Sequence, residues 1–77
     1  MCIMSINISD IDKKVGMNIR VERIRKNISQ EGLADMAELA RSTMGIVERG
    51  EKSPSLQTIA KISNALNIDI RKLFDFE

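Results

Sequence analysis

The segment "SQEGLADMAELARSTMGIVERG", residues 29–50, has the pattern of two short helices joined by a tight turn. Its apolar residues recur at helical spacing over 29–37 and again over 41–49, and only three residues separate the two runs. Ser29 is a favourable N-cap for the first run, and Gly50 is a natural C-terminal stop for the second. Two short helices joined so tightly have the proportions of a helix-turn-helix, although other small helical bundles also have short connections.

The segments on both sides of this motif also predict helices. A first helix begins near Ser9 or Asp10, either of which can cap it. A fourth helix follows Pro54 and ends at Asn67, and a short fifth helix begins near Asp69. The apolar faces of the first and fourth helices consist of Ile11, Val15 and Ile19, and of Leu56, Ile59, Ile62 and Leu66, respectively.

The chain is long enough for one small domain. We expect an all-α domain of five short helices over residues 10–77, preceded by an N-terminal arm over residues 1–9. A chain of this size buries only roughly 60% of its unfolded surface, so its core is marginal by itself. Association with a second copy is the support that the composition favours.

The cysteine and histidine content excludes several kinds of site. Histidine is absent and Cys2 is the only cysteine, so neither a disulfide framework nor a Cys/His metal site can form within one chain. We expect no catalytic residues, cofactor or bound metal, with a carboxylate-only enzyme as the remaining alternative. A lone cysteine fits a cytoplasmic protein, and no apolar run approaches the roughly 18 residues of a membrane span.

The charges are unevenly distributed although the net charge is only +1. Residues 13–26 hold six lysines and arginines against one glutamate, whereas residues 27–50 hold two arginines against four acidic residues. On charge alone, the basic segment is better explained as a solvated helix face than as a binding surface.

Residues 19–74 resemble the lambda-repressor-like helix-turn-helix family of phage repressors and their bacterial relatives. The segments that carry the resemblance include "SQEGLADMA", "RSTMGIVERG" and "PSL". It implies a compact five-helix DNA-binding domain and a sequence-specific transcriptional regulator that binds double-stranded DNA. In that family, the helix matching 29–37 crosses the DNA backbone and the helix matching 41–49 lies in the major groove.

The resemblance also implies the residues that contact DNA. Those expected to contact bases are Arg41, Ser42, Thr43, Gly45 and Ile46. Those expected to contact phosphates are Ser29, Gln30, Arg49 and Lys52. We expect Gly45 on the outward side of its helix, where the missing side chain lets the helix approach the base edges. The alternatives are that Gly45 is merely tolerated and that residues 41–43 form a solvated helix start.

Two charged residues stand where the apolar periodicity points inward. Arg23 continues the buried stripe of the first helix, and Glu48 occupies an inward position of the third. Because a buried charge is tolerated only when it is paired, and because the family has a paired arginine and glutamate at these places, we expect a structural ion pair between them.

Two departures from the family pattern concern the turn. Glu38 stands where glycine is common, which predicts a strained or differently shaped turn. Ala40 replaces the usual serine or threonine cap, so the third helix is expected to begin without a side-chain acceptor at that position.

One short helix-turn-helix makes too few base contacts for genomic selectivity. We therefore expect a homodimer on a palindromic operator, with half-sites about 34 Å apart. The expected interface is the apolar C-terminal end, which consists of Ile68, Ile70, Phe74 and Phe76. Residues 1–8 are a second candidate for an interface, with a disordered arm as the alternative. Regulation would then act through protein concentration, competing operators or contact with RNA polymerase, since no small-molecule sensing domain fits in this length.

The sequence is compatible with two functions. The segment "RSTMGIVERGEKSPS", residues 41–55, also resembles the controller proteins of restriction-modification systems. The alternative is an antitoxin-type interaction protein that neutralises a partner toxin and autoregulates its operon. Neighbouring restriction and methylation genes would favour the controller, and a neighbouring toxin gene would favour the antitoxin.

Overall fold

The computed structural model describes residues 8–76, and this part of the chain is helical without any strand. Its four α-helices are α1 (Ile11–Arg25), α2 (Gln30–Met36), α3 (Arg41–Arg49) and α4 (Leu56–Leu66), with 3₁₀ helices at Ile8–Asp10 and Ile70–Phe74. Most of the predicted N-terminal arm, including Cys2, lies outside the described residues. Residues 8 and 9 of that arm belong to the first 3₁₀ helix.

The prediction of five helices needs a correction at the C-terminal end. The fifth segment, Ile70–Phe74, is a 3₁₀ helix of 5 residues and not an α-helix. So short a segment closes few i→i−4 bonds, and the tighter i→i−3 pattern is common in such pieces. Asp69 caps it by accepting a hydrogen bond from the Arg71 backbone N–H at 2.9 Å. Hydrogen bonds from the Arg71 side chain, and then from that N–H, lower the pKa of Asp69 to about 2.

The helix ends follow the local sequence signals. Ser29 Oγ accepts from the Gly32 N–H at 2.9 Å, and Ser55 Oγ accepts from the Thr58 N–H at 3.1 Å. Asn67 closes α4 in the left-handed conformation, with a φ of 56°. At the start of α1 the expectation of a side-chain cap is wrong for Asp10, which makes no such hydrogen bond because a 3₁₀ turn already leads into the helix.

The turn between α2 and α3 has the two irregularities that its sequence suggests. Glu38 has a φ of 58°, in the left-handed region where glycine is more comfortable. Ala40 precedes α3 in an extended conformation and offers no side-chain hydrogen bond. The first N–H groups of α3 therefore have no capping side chain at this position.

A single core holds α3 from behind. Its buried side chains are Val15, Ile19, Leu33, Ala34, Ala37, Met44, Val47, Ile59, Ile62, Leu66 and Leu73. Helix α3 packs against both α1 and α2, and α4 packs against α2 and the C-terminal 3₁₀ helix. Asn18 of α1 ties down that last element, because its Nδ2 donates to the backbone oxygens of Leu73 and Asp75, each at 3.0 Å.

Helix α1 approaches the backbone of α3 closely at Gly16. A Cβ on Gly16 would lie 2.6 Å from the carbonyl oxygen of Glu48 and closer still to that of Val47. Real Cβ atoms essentially never approach carbonyl oxygens so closely, so any side chain at Gly16 would push the two helices apart.

We expect Gly16→Ala to destabilise the domain by about 1–3 kcal/mol, because overpacking against fixed backbone outweighs the gain in helix propensity. The matched control is Gly45→Ala in α3, where the nearest obstacle is the end of the flexible Arg49 side chain at 2.9 Å. That control should be neutral or slightly stabilising. Thermal unfolding followed by circular dichroism measures both, and an unchanged Tm for Gly16→Ala would contradict the close packing.

Candidate nucleic-acid interface

The N-terminal half of α3 is presented to solvent. Arg41 and Ser42 are exposed, and Thr43 and Ile46 are half-buried. On the opposite side of the same helix, Met44 is fully buried in the core. The helix therefore shows its polar first turn to the outside while its apolar side holds it to the body of the domain.

A groove runs between α2 and α3 along this exposed side. It is lined by Gln30, Arg41, Ser42, Gly45, Ile46 and Arg49. A second, smaller depression also includes Ile46 and is lined by Thr43, Ile46, Val47, Lys52, Ser53, Pro54 and Thr58. Together the two depressions contain every residue that the resemblance implies for DNA contact except Ser29, whose hydroxyl oxygen caps α2.

Gly45 lines the groove, but the expectation that its position is left bare is wrong. Gly45 is buried, and the space of its missing side chain is covered by two neighbours. A Cβ there would lie 2.9 Å from Arg49 Nη1 and 3.5 Å from Gln30 Oε1. The glycine leaves room for the guanidinium of Arg49, one helical turn further along, to fold back over the helix, and Gln30 approaches the same place from α2.

Arg49 is paired with the carboxylate of Glu51, a residue that the sequence pattern does not single out. Its Nε donates to Glu51 Oε2 at 2.7 Å, and its Nη2 donates to Glu51 Oε1 at 3.3 Å. The hydrogen bond from Arg49 lowers the pKa of the Glu51 carboxyl below its usual value. The pair is exposed, and its only signal in the sequence is two opposite charges two residues apart.

The Arg23–Glu48 ion pair expected from the sequence is present. Arg23 Nε donates to Glu48 Oε2 at 2.7 Å, and Arg23 Nη2 donates to Glu48 Oε1 at 3.1 Å. The Glu48 side chain is 3% exposed and that of Arg23 is 13% exposed. This bidentate geometry joins α1 to α3 and fixes the rotation of α3 about its own axis.

Two further hydrogen bonds connect the ion pair to α2 and to the segment just before it. Arg23 Nη1 donates to the backbone oxygen of Ile28 at 2.9 Å, and Gln30 Nε2 donates to Glu48 Oε1 at 3.2 Å. Gln30 thus has a structural bond within the domain besides its place in the groove. The phosphate contact can be predicted from its position at the first residue of α2. The bond to Glu48 could not be predicted in this way, because it depends on how α2 and α3 cross.

The four residues expected at a dimer interface divide into two pairs. Ile70 and Phe74 are exposed, at 37% and 40%, whereas Ile68 and Phe76 pack partly against the core. The rings of Phe74 and Phe76 meet edge to face, with centroids 6.2 Å apart. The surface apolar area at this end therefore comes from Ile70 and Phe74.

The described residues contain no cluster of acidic or sulfur ligands that could hold a metal ion. None of the helices in residues 8–76 is long and apolar enough to cross a membrane.

Removing one partner of the buried pair should be costly. We expect Glu48→Ala to lower the free energy of unfolding by about 3–5 kcal/mol, because it leaves the Arg23 guanidinium buried without its carboxylate. At about 4 °C or more per kcal/mol for a domain of this size, Tm should fall by at least about 12 °C. The matched control is Arg25→Ala, since Arg25 forms only an exposed pair with Glu22 at 3.2 Å. Equal melting temperatures for the two variants would contradict the role given to the buried pair.

Comparison with known proteins identifies the family. A family model described as Helix-turn-helix matches residues 19–73. The control protein C.BamHI of Bacillus amyloliquefaciens is 42% identical over 62 residues, covering 79% of this chain and 76% of that protein. The control protein C.SmaI of Serratia marcescens is 39% identical over 64 residues, covering 83% and 76%.

A solved structure gives the same answer. The crystal structure of the restriction-modification controller protein C.AhdI from Aeromonas hydrophila is similar with a TM-score of 0.81 and 44% identity, covering 86% of this chain and 98% of that one. The family model spans both helices of the motif and most of the core around them. This chain belongs to the helix-turn-helix family of transcriptional regulators.

Proposed function

We propose that this regulator binds a specific double-stranded DNA sequence by placing α3 in the major groove. The observation that carries the proposal is the contrast between the two sides of α3. Its first turn, with Arg41 and Ser42, is exposed, while Glu48 and Met44 are buried and fix the helix from behind. A helix presented in this way can meet base edges without rearranging the rest of the domain.

The side chains at the start of α3 suit the chemistry of the major groove. The Arg41 guanidinium can donate two hydrogen bonds to O6 and N7 of a guanine. The hydroxyl groups of Ser42 and Thr43 can donate or accept, and half-buried Ile46 can cover a thymine methyl. These four residues form the proposed base-reading set.

Phosphate contacts would hold the domain in register on the duplex. Lys52 is exposed beside the second depression, and Gln30 and Ser29 lie at the N-terminal end of α2, where backbone N–H groups favour an anion. Arg49 at the far end of α3 completes the set. These groups would supply affinity, whereas the base-reading set would supply specificity.

A homodimer on a palindromic operator follows from the need for selectivity. One domain with four base-reading side chains contacts too few base pairs, and specific binding is typically about 10³–10⁷ tighter than non-specific binding. The exposed pair of Ile70 and Phe74 at the C-terminal end is the proposed contact between the two copies. Two α3 helices would then enter successive major grooves about 34 Å apart.

The relatives support a restriction-modification controller as the biological role. In this proposal the protein is a cytoplasmic regulator without catalytic activity or cofactor. Bound next to its own promoter, it would act by occupying the operator or by contacting RNA polymerase. Selection of bound sequences from a random duplex pool, followed by a reporter assay with the chain's own upstream region, tests this role.

Base and phosphate contacts should respond differently to substitution. We expect Arg41→Ala to lose roughly 1–3 kcal/mol of discrimination at one base pair of the selected duplex. Lys52→Ala should instead weaken binding to all sequences and reduce the slope of log affinity against log salt by about 1. Titrations of both variants on selected and scrambled duplexes at several salt concentrations make the comparison. The proposed base-reading set is wrong if the wild-type protein enriches no sequence, or if Arg41→Ala leaves the base preference unchanged.

The proposed dimer contact has its own test. We expect Phe74→Glu to give a monomer in sedimentation velocity, because it places a charge in an apolar contact. Loss of two-site binding should weaken affinity for the palindromic duplex roughly 10²-fold or more. Met36→Glu is the control, because Met36 is 53% exposed but lies in α2, away from the C-terminal end. A Phe74→Glu protein that stays dimeric would exclude this interface.

A further inference from the structure

The Arg49 guanidinium is paired with Glu51 and lies close to Gly45. Its Nε and Nη2 both donate to the Glu51 carboxylate, at 2.7 and 3.3 Å. Its Nη1 lies over Gly45, 2.9 Å from the point that a Cβ would occupy, and Gln30 Oε1 lies 3.5 Å from the same point. The side chain is 58% exposed, and its pair with Glu51 places the guanidinium over Gly45.

The third nitrogen of this guanidinium is the one left for a ligand. Within residues 8–76, Nη1 has no hydrogen-bond acceptor, although the other two nitrogens have one each. Arg49 belongs to the lining of the groove between α2 and α3, together with Arg41 and Ser42. The pair with Glu51 therefore occupies one edge of the guanidinium and leaves Nη1 over Gly45.

We infer that Glu51 is a positioning residue for DNA binding, which holds Arg49 so that Nη1 can donate to a backbone phosphate at the groove. This inference rests on the proposed function, because it assumes that α3 meets DNA with this groove against a phosphate. Immobilising a long side chain on binding lowers affinity roughly 2- to 10-fold. In this chain the cost is met during folding, since Glu51 and the space over Gly45 already fix the side chain.

If Glu51 instead opposed DNA binding, its removal would raise the affinity for DNA. A carboxylate beside a DNA-binding arginine can compete with phosphate for the guanidinium, and its charge repels the duplex at long range. Both effects predict tighter DNA binding when Glu51 is removed. Positioning predicts weaker binding, so the direction of the change separates the two roles.

The experiment compares Glu51→Ala with Glu31→Ala on the selected duplex. Glu31 is an exposed carboxylate at the start of α2, and it has no hydrogen-bonded arginine among the described residues. We expect Glu51→Ala to bind roughly 2- to 10-fold more weakly with an unchanged salt slope, because the cation remains but is no longer ordered. Glu31→Ala should bind as tightly as wild type or more tightly. Melting temperatures within a few degrees of wild type confirm that both variants fold.

A double-mutant cycle with Arg49→Ala locates the effect. If Glu51 acts through Arg49, Glu51→Ala causes no further loss in the Arg49→Ala background. Equal or tighter binding by Glu51→Ala, or the same loss in both backgrounds, overturns the positioning role while leaving the proposed function in place. Failure of wild-type protein to select any duplex overturns the proposed function, and the positioning role with it.

Discussion

The bidentate ion pair between Arg23 and Glu48 is the interaction on which the geometry of this domain depends. It joins α1 to α3, and through Gln30 and the Ile28 carbonyl it also holds the start of α2. Burying two charges is costly unless the remaining donors and acceptors are satisfied. Here no buried side-chain nitrogen or oxygen of the described residues lacks a partner. The pair therefore selects one arrangement of three helices.

That arrangement gives α3 two unlike sides. Met44, Val47 and Glu48 face the interior, while Arg41 and Ser42 face solvent. Because a 9-residue helix has little stability of its own, its rigidity comes from the packing of its buried side. Fixing the helix from behind is what leaves its polar first turn available for recognition. Stability and the proposed function thus use opposite sides of the same short element.

Two glycines show how close helix packing shapes this surface. Gly16 lets the α1 and α3 backbones meet, which brings Arg23 within reach of Glu48. Gly45 leaves a space on α3 that the Arg49 guanidinium fills. Glycine costs about 0.5–1 kcal/mol relative to alanine inside a helix. At both positions the cost is offset by a contact with a residue that is distant in the sequence or one turn away.

The α-helices and the helix-terminal residues Ser29, Gly50 and Asn67 could be predicted from the sequence, and the family resemblance added the buried Arg23–Glu48 pair. Ser29, Gly50 and Asn67 act through backbone groups within a few residues, so their effect can be read locally. Three contacts depend instead on the assembled fold: Gln30 binds Glu48, Gln30 also lies near Gly45, and Asn18 of α1 binds the backbone of Leu73 and Asp75. These features depend on how the helices cross and on the space left between them, and helical periodicity carries no information about either.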